Sequence, residues 1–462
     1  MTGSERAAAS FTGGYPTAEA SQALYDEMDY QRAVQAYIWG TSLVNSVGVD
    51  RGLQSVGGTP EKPAIIVFDK PLTPKQVFMT GNDVSTYGLS AIDLVSSGAF
   101  VVDVPEGVLG GIVDYWQRAV LDIGIGDTLH GARLLLLPPG FEGEAPEGYL
   151  AVPCETSRVF LLARGTPKPG AGPNALVDLL GSVGLYPLAE AAAPAPTRVI
   201  AAGGVPMSTD WPKDFGFFEY LAEGLSHVQV EETDKLMYAM IAPLGLAPGK
   251  PFAPDARQRG ILEKAAVTGA EMVANMAFAN RFDGRQFWPD REWEKTTFAT
   301  TPDFETAETI ELDERAQAWY QVSMNTRYAY SAKPVPGQGS WYAVTFHDGS
   351  GAYLQGENSH RLHVAAHPPA KAFWSVTIYD NRTRSMIDTD QRRAGRSSLS
   401  ELDRNADGSI DLFFAPEPPA SGETNWIKTI AGQGFFAMFR LFGPLEPVFD
   451  GSWKLSDIER ID

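Results

Sequence analysis

The apolar run Phe435–Phe442 contains one arginine. If the run is a strand, alternation puts Phe435, Ala437, Phe439 and Leu441 on one face. Phe436, Met438, Arg440 and Phe442 take the other. A guanidinium among three large apolar neighbours is not left buried and unpaired, so a carboxylate or a ligand anion must meet it. Either a structural ion pair, for instance with Asp380 or Asp388, or an anion or carbonyl held in a pocket would satisfy it. The run Ala372–Tyr379 adds a second mixed face, Phe373, Ser375, Thr377 and Tyr379, followed by Arg382 and Arg384. In the N-terminal half, Asn82, Asp83, Tyr87 and Asp93 are polar in an otherwise apolar context. Pockets form at domain interfaces with apolar walls and a few polar groups, so these residues are expected to line a cleft between domains. Asn82, Phe373, Thr377, Tyr379, Arg384 and Arg440 are the expected ligand-binding groups. Asp83 or Asp93 is the expected acid/base, and Tyr87 joins the arginines in polarising an oxygen.

Other chemistries fit less well. The chain has no G-x-S-x-G and no H-E-x-x-H, and Gly245–Pro251 is a P-loop one residue short that ends in proline. Gly124 and Gly126 are followed by Leu129 where a dinucleotide fingerprint needs a third glycine. Asp403–Asp411 imitates the start of a calcium loop, but Phe414 stands where the bidentate carboxylate belongs. Asp407-Gly408 ahead of the alternating Ile410, Leu412 and Phe414 reads as a hairpin turn into a strand. His347, His360, His363 and His367 cluster in sequence with no carboxylate at matching spacing, so no metal site and no cofactor are expected. Cys154 is the single cysteine, and Glu155 beside it would raise its thiol pKa, which favours a packed side chain over a nucleophile.

The chain that must position these groups has 462 residues, about three times the ~150-residue prior for one domain. A net charge of −20 argues against a nucleic-acid or anionic-membrane binder, since both need a basic face. The N-terminus lacks a secretory pattern and no stretch approaches ~18 uncharged apolar residues, so a soluble cytoplasmic protein is expected. Tyr30, Val34, Tyr37 and Ile38 share one face of a helix expected over about 18–42, behind a small, polar tail. Short β-type runs follow at Ala64–Phe68, Phe100–Val104, Arg133–Leu137 and Val159–Ala163. Helical spacing returns at Phe218, Leu221 and Leu225, then over Asp255–Arg281 and Leu312–Tyr328. From Ser340 onward strands resume at Trp341–Phe346, Arg361–Ala365, Phe373–Tyr379, Ile410–Phe414 and Phe435–Phe442.

Two groups of segments carry a family resemblance. FWSVTIYDNRTRSMIDTDQ (373–391), NADGSIDLFFAPEPP (405–419), NWIKT (425–429) and residues 434–459 closely resemble the bacterial domain of unknown function numbered 1214. YDEMDYQRAVQAYIWG (25–40), TGNDVSTYGLSAIDL (80–94) and residues 101–124 and 134–152 resemble its usual partner, the domain numbered 1254. The resemblance implies a mainly β (α+β) protein with two β-rich domains, the C-terminal one jelly-roll or sandwich-like, and a helical segment between them. It imports no activity. The expected division is a mobile tail over 1–20, an N-terminal β-rich domain over 21–200, a helical connector over 201–335 and the C-terminal domain over 336–462. The function this favours is small-molecule binding, narrowly as a cofactor-free enzyme with hydrolase- or lyase/isomerase-like acid/base chemistry on a mostly apolar substrate. A non-catalytic ligand-binding or assembly module is the alternative.

Ten tryptophans and an aromatic content of 11% exceed what many cores need, and part of that surplus is expected to cover an apolar patch between copies. A homo-oligomer, most simply a dimer, is the expected outcome of light scattering. A mass near 50 kDa at micromolar concentration would refute it.

Overall fold

The computed structural model describes residues 11–124, 129–165, 174–324 and 335–462. Phe11–Thr12 pairs with Tyr15–Pro16, and the Thr17 side chain caps the first helix, accepting from the Ala20 amide at 3.1 Å. Helix α1 spans Ala18–Ser55 and is thirteen residues longer than the expected end at Ser42. Gly40, Gly48 and Gly52 fall inside it, each costing roughly 1 kcal/mol in a helix. They persist because neighbours press on the bare backbone. A Cβ at Gly48 would lie 2.3 Å from the Thr209 carbonyl oxygen, and one at Gly52 would lie 2.7 Å from that of Ser208. Tertiary packing outweighs local propensity here.

The N-terminal half contains strands β1 (Ala64–Val67), β2 (Tyr87–Asp93), β3 (Phe100–Val104), β4 (Val108–Asp114), β5 (Ala119–Ile123), β6 (Ala132–Leu137), β7 (Leu150–Pro153), β8 (Arg158–Gly165), β9 (Gly184–Pro187) and β10 (Arg198–Ala201). One sheet has the order β10-β1-β2-β8-β4-β5 and the other β7-β6-β3-β9. Ile65, Val67, Ile92, Val102, Leu134 and Val159 meet between the sheets. The outer face of the six-stranded sheet gives Ile66, Phe68, Leu89 and Phe160 to the core around α1. The glycine pair in β4 concealed that strand in sequence. Gly110 has φ +153°, and a Cβ there would sit 1.8 Å from the Leu162 carbonyl oxygen, so only glycine lets β8 approach.

After α2 (Ala175–Gly181) the chain enters its helical stretch: α3 (Gly216–Leu225), α4 (Lys235–Ile241), α5 (Ala256–Phe278) and α6 (Leu312–Gln321). A capping box between Asp255 and Gln258 starts α5. Helices α3, α5 and α6 pack on α1. The helix expected to reach Tyr328 ends at Gln321, and residues 325–328 lie outside the described residues. No helix among the described residues is long and apolar enough to cross a membrane.

The C-terminal half is a β-sandwich. Strands β11 (Ser340–Thr345), β12 (His360–Val364), β13 (Ala370–Asp380), β14 (Gly395–Ser397), β15 (Ile410–Ala415), β16 (Trp426–Lys428), β17 (Phe435–Pro444) and β18 (Ile458–Arg460) form two four-stranded sheets, β11-β17-β13-β14 and β16-β15-β12-β18. All five strands expected here are present within three residues at each end. Phe435 meets Phe414 of the facing sheet, whereas Phe436 stacks with Tyr379 on the opposite face, which looks toward the N-terminal half. Both faces of β17 are buried from Phe435 to Phe442. The core around α1 therefore continues through Phe278 and Phe436 into the sandwich.

Two glycines separate close packing from helix propensity. Gly48→Ala should lower stability by about 1–3 kcal/mol through overpacking. Gly260→Ala, in α5 with nothing within 4 Å of the added carbon, should raise it by roughly 0.5–1 kcal/mol. Urea unfolding of both variants checks this, and a stabilised Gly48→Ala would refute the packing account.

Candidate functional site

The site is built where residues 79–83 lie across the sandwich face that carries Arg440. The Arg384 carbonyl accepts from the Thr80 amide at 2.8 Å, and Thr80 itself adopts a left-handed φ of +47°. The Tyr379 hydroxyl donates to the Gly81 carbonyl at 2.6 Å, and the Thr377 hydroxyl donates to Asp83 Oδ1 at 3.3 Å. From the helical side, Met79 N donates to Ser323 Oγ at 3.0 Å and Thr80 Oγ1 donates to the Gln321 carbonyl at 3.0 Å.

Arg440 is 2% exposed and meets neutral oxygens only among the described residues. Its Nη2 donates to Tyr379 Oη at 2.6 Å and to the Thr80 carbonyl at 2.9 Å, and its Nη1 donates to Thr377 Oγ1 at 3.2 Å. Nε has no partner among the described residues. Burial works against the guanidinium's charge, yet the Tyr379 and Tyr342 phenols hold its pKa above the ordinary value. Neither Asp380 nor Asp388 pairs with it; Asp380 binds Arg382 at 3.4 Å. The nearest link to a carboxylate runs through Thr377 to Asp83. Burial pushes the Asp83 carboxyl above its usual range, with Arg440 pulling the other way.

The structural ion pair instead belongs to Arg384. Fully buried, it binds Asp210 at 2.9 Å, donates to the Tyr320 and Arg382 carbonyls at 3.0 and 2.6 Å, and lies 4.2 Å over the Tyr320 ring.

A cavity of about 140 Å³ opens beside Arg440. Its N-terminal wall comes from β2 and β8, whose alternation presents Tyr87 and Leu89, then Leu162 and Arg164. The opposite wall comes from β11 and β17, which present Ser340 and Tyr342, then Met438 and Arg440. Tyr342 and Arg440 are direct cross-strand partners, as are Tyr87 and Arg164. Period-two geometry on two sheets thus aims one arginine from each half into one space.

Of the residues singled out in sequence, Asn82, Tyr87 and Arg440 line the cavity. Asn82 Nδ2 lies 3.4 Å from Tyr87 Oη. Burial raises the Tyr87 phenol pKa, and Arg164 and Arg440 both act against that rise. Asp83, Thr377 and Tyr379 stand behind Arg440 as its support. Arg384 serves the seam and does not line the cavity. Phe373 stacks on Phe442 with ring centroids 4.1 Å apart, also away from it. Asp93 lies at the far end of β2, six residues from Tyr87 and so about 20 Å away. There it caps the turn Leu94–Ser97 through the Val95 and Ser96 amides and pairs with Arg158 at 3.2 Å, so its carboxylate is structural. Arg164, Tyr342 and Ser340 were missed. The signal for Arg164 was its same-face spacing from Leu162 at the end of an apolar run.

The other motifs resolve locally. Gly408 turns at φ +84° into β15 as expected, but the turn closes no hairpin, because β15 pairs with β12 and β16 and no strand leads into the turn; His363 Nδ1 sits 2.8 Å from Asp411. Among the described residues no group of three or more His, Cys, Asp or Glu is placed to hold a metal. Cys154 is buried and its thiol is pushed up to about 12.

Asp83 makes stability depend on pH. A carboxyl whose folded pKa exceeds its unfolded value binds its proton more readily in the folded state. Its stabilisation is complete below the unfolded value near ~3.9 and is lost as pH rises through the folded one. Urea midpoints of the wild type should therefore fall relative to Asp83→Asn between pH 4 and 7. A relative rise would mean that the field of Arg440 dominates.

Comparisons with known proteins match two family models to the segments that build this geometry. The family described as "Protein of unknown function (DUF1254)" matches residues 64–178, and "Protein of unknown function (DUF1214)" matches 339–446. No curated protein matches the chain. Among solved structures it is similar in fold to the VPA0106 protein from Vibrio parahaemolyticus, with TM-score 0.55 and 18% identity over 94% of this chain and all of that one. An uncharacterized protein from Burkholderia cenocepacia aligns over 95% of this chain and 94% of its own at 13% identity and TM-score 0.40. The first wall of the cavity draws Tyr87, Leu89, Leu162 and Arg164 from the earlier match, and the second draws all four of its residues from the later one. The chain therefore carries a DUF1254 match followed by a DUF1214 match, the two-domain pairing that its sequence resembles.

Proposed function

We propose that this protein binds a small, mostly apolar molecule in the cavity between its two β-rich halves. The observation that carries the reading is the convergence of two sheets from different halves on one half-open, largely apolar space that holds a buried guanidinium without a carboxylate partner. Apolar walls with a few convergent polar groups are the usual make-up of a ligand site. At ~10–15 Å³ per water-sized group, a volume near 140 Å³ suits a ligand of about ten non-hydrogen atoms.

Binding is favoured over catalysis because both carboxylate candidates are withdrawn from the space. Asp83 is one hydroxyl removed from Arg440, and Asp93 is at the other end of its strand. Cofactor-free acid/base chemistry of a hydrolase or lyase kind is the second reading, supported by the raised pKa of Asp83 and by Tyr87 in the wall. A non-catalytic assembly role has no comparable observation behind it.

A neutral apolar fluorophore of matching size, 1-naphthylamine, tests the cavity directly. The wild type should bind it saturably with one site per chain. Leu162→Trp and, from the opposite wall, Met438→Trp should each weaken binding at least tenfold while keeping the wild-type circular dichroism. Unchanged affinity in both folded variants would refute the assignment.

A further inference from the structure

Arg440 and Arg164 come from different halves of the chain and line the same cavity. Among the described residues neither guanidinium lies within ion-pair distance of a carboxylate. Arg118, Arg158 and Arg384 behave differently. Arg118 closes on Asp114 at 2.7 Å, Arg158 on Asp50 at 2.5 Å, and Arg384 on Asp210 at 2.9 Å. Arg315 and Arg396 also lack a carboxylate, but they are turned away from the cavity and rest on backbone carbonyls, of Trp39 and of Thr424 and Gly395 respectively. Only the two cavity arginines, among these seven, combine an unmet charge with a space that a ligand can enter.

The remaining polar groups point the same way. Ser340 Oγ is buried without a partner among the described residues, and Arg440 Nε is likewise unmatched. The Tyr87 and Tyr342 hydroxyls and the Asn82 amide share the lining. This is a donor-rich set that calls for an acceptor-rich head. The guanidinium fork of Arg164 matches a carboxylate in a bidentate fashion, which a point charge or a lone carbonyl cannot reproduce. The rest of the lining, including Phe68, Leu72, Phe78, Leu89 and Leu162, takes hydrocarbon.

The geometry points to a monocarboxylate amphiphile as the ligand class, its head between Arg164 and Arg440 and its apolar body against the β2/β8 wall. This rests on the cavity being a ligand site, as proposed above. One carboxylate also suits the local charge. Asp83 stands behind Arg440, and a doubly charged head would bring more negative charge toward this buried acid than a singly charged one does.

Isothermal titration calorimetry with octanoate, 1-octanol and octyl phosphate separates the possibilities, since the three share a tail and differ in head. Octanoate should bind the wild type at least tenfold more tightly than octanol. Arg164→Gln should bring octanoate down to the affinity of octanol while leaving octanol binding in place, and Arg440→Met should do the same if it folds. Octanol binding as tightly as octanoate, in a protein that binds the neutral naphthylamine, would overturn the carboxylate head and leave the cavity standing. Tighter binding of octyl phosphate would overturn the choice of head in the same way. Failure of all three alkyl probes and of the naphthylamine would overturn both readings.

Discussion

Two buried guanidiniums, held over one five-residue segment, set the geometry of the seam. Taking an arginine out of water costs several kcal/mol unless its donors are met, and Arg384 and Arg440 are both almost wholly enclosed. Arg384 recovers that cost through Asp210 and the faces of Tyr320 and Trp211. Arg440 recovers it through three neutral oxygens and the rings of Tyr379 and Tyr342, 5.7 and 5.8 Å from its carbon. The carbonyls of Thr80 and Gly81 are among the acceptors or lie beside them, so residues 79–83 cannot shift without stranding a charge. Asn82 faces the cavity because its neighbours on both sides are tied down in this way.

The opposite wall is fixed by a second ionic knot at the far end of the same strand. Arg158, Phe160, Leu162 and Arg164 share one face of β8. Arg158 is clamped by Asp50 of α1, by Asp93 and by Glu61. Asp50 is fully buried and also accepts from the Tyr115 hydroxyl at 3.0 Å. With one end of the strand locked to the central helix, the register that carries Arg164 into the cavity follows. A one-residue slip would turn every member of that face away. Catalytic-looking Asp93 is thus part of what aims Arg164, about 20 Å from where chemistry was expected.

What could be read from sequence follows from how local each signal is. The strands of the sandwich were legible because alternating large apolar residues and turn residues act over six to eight positions. Arg440, Asn82 and Tyr87 were legible because a polar group in an apolar frame is conspicuous wherever the chain leads it. Other features depend on partners far away in sequence. Glycines in α1 and β4 have no visible reason until Thr209 and Leu162 are seen pressing on them. The roles of Asp93 and Arg384 hinge on Arg158 and Asp210, each more than 60 residues distant. Arg164 closes an apolar run in the manner of an ordinary solvated end, and only the sandwich arriving from the other half makes it a wall.

The burial of β17 on both faces has a consequence for the order in which the molecule is made. More than 350 residues separate Asp83 from Arg440. At ~5–20 residues per second on the ribosome, the first wall waits roughly 20–70 s for the second. During that time Thr80 has no guanidinium against its carbonyl, and the apolar side of β2 and β8 beyond α1 has nothing to cover it. The nascent chain must tolerate this open flank without sticking to its neighbours, and the large excess of acidic side chains supplies mutual repulsion meanwhile. The cavity is therefore among the last features to be completed in synthesis, well after the helix that packs on its first wall.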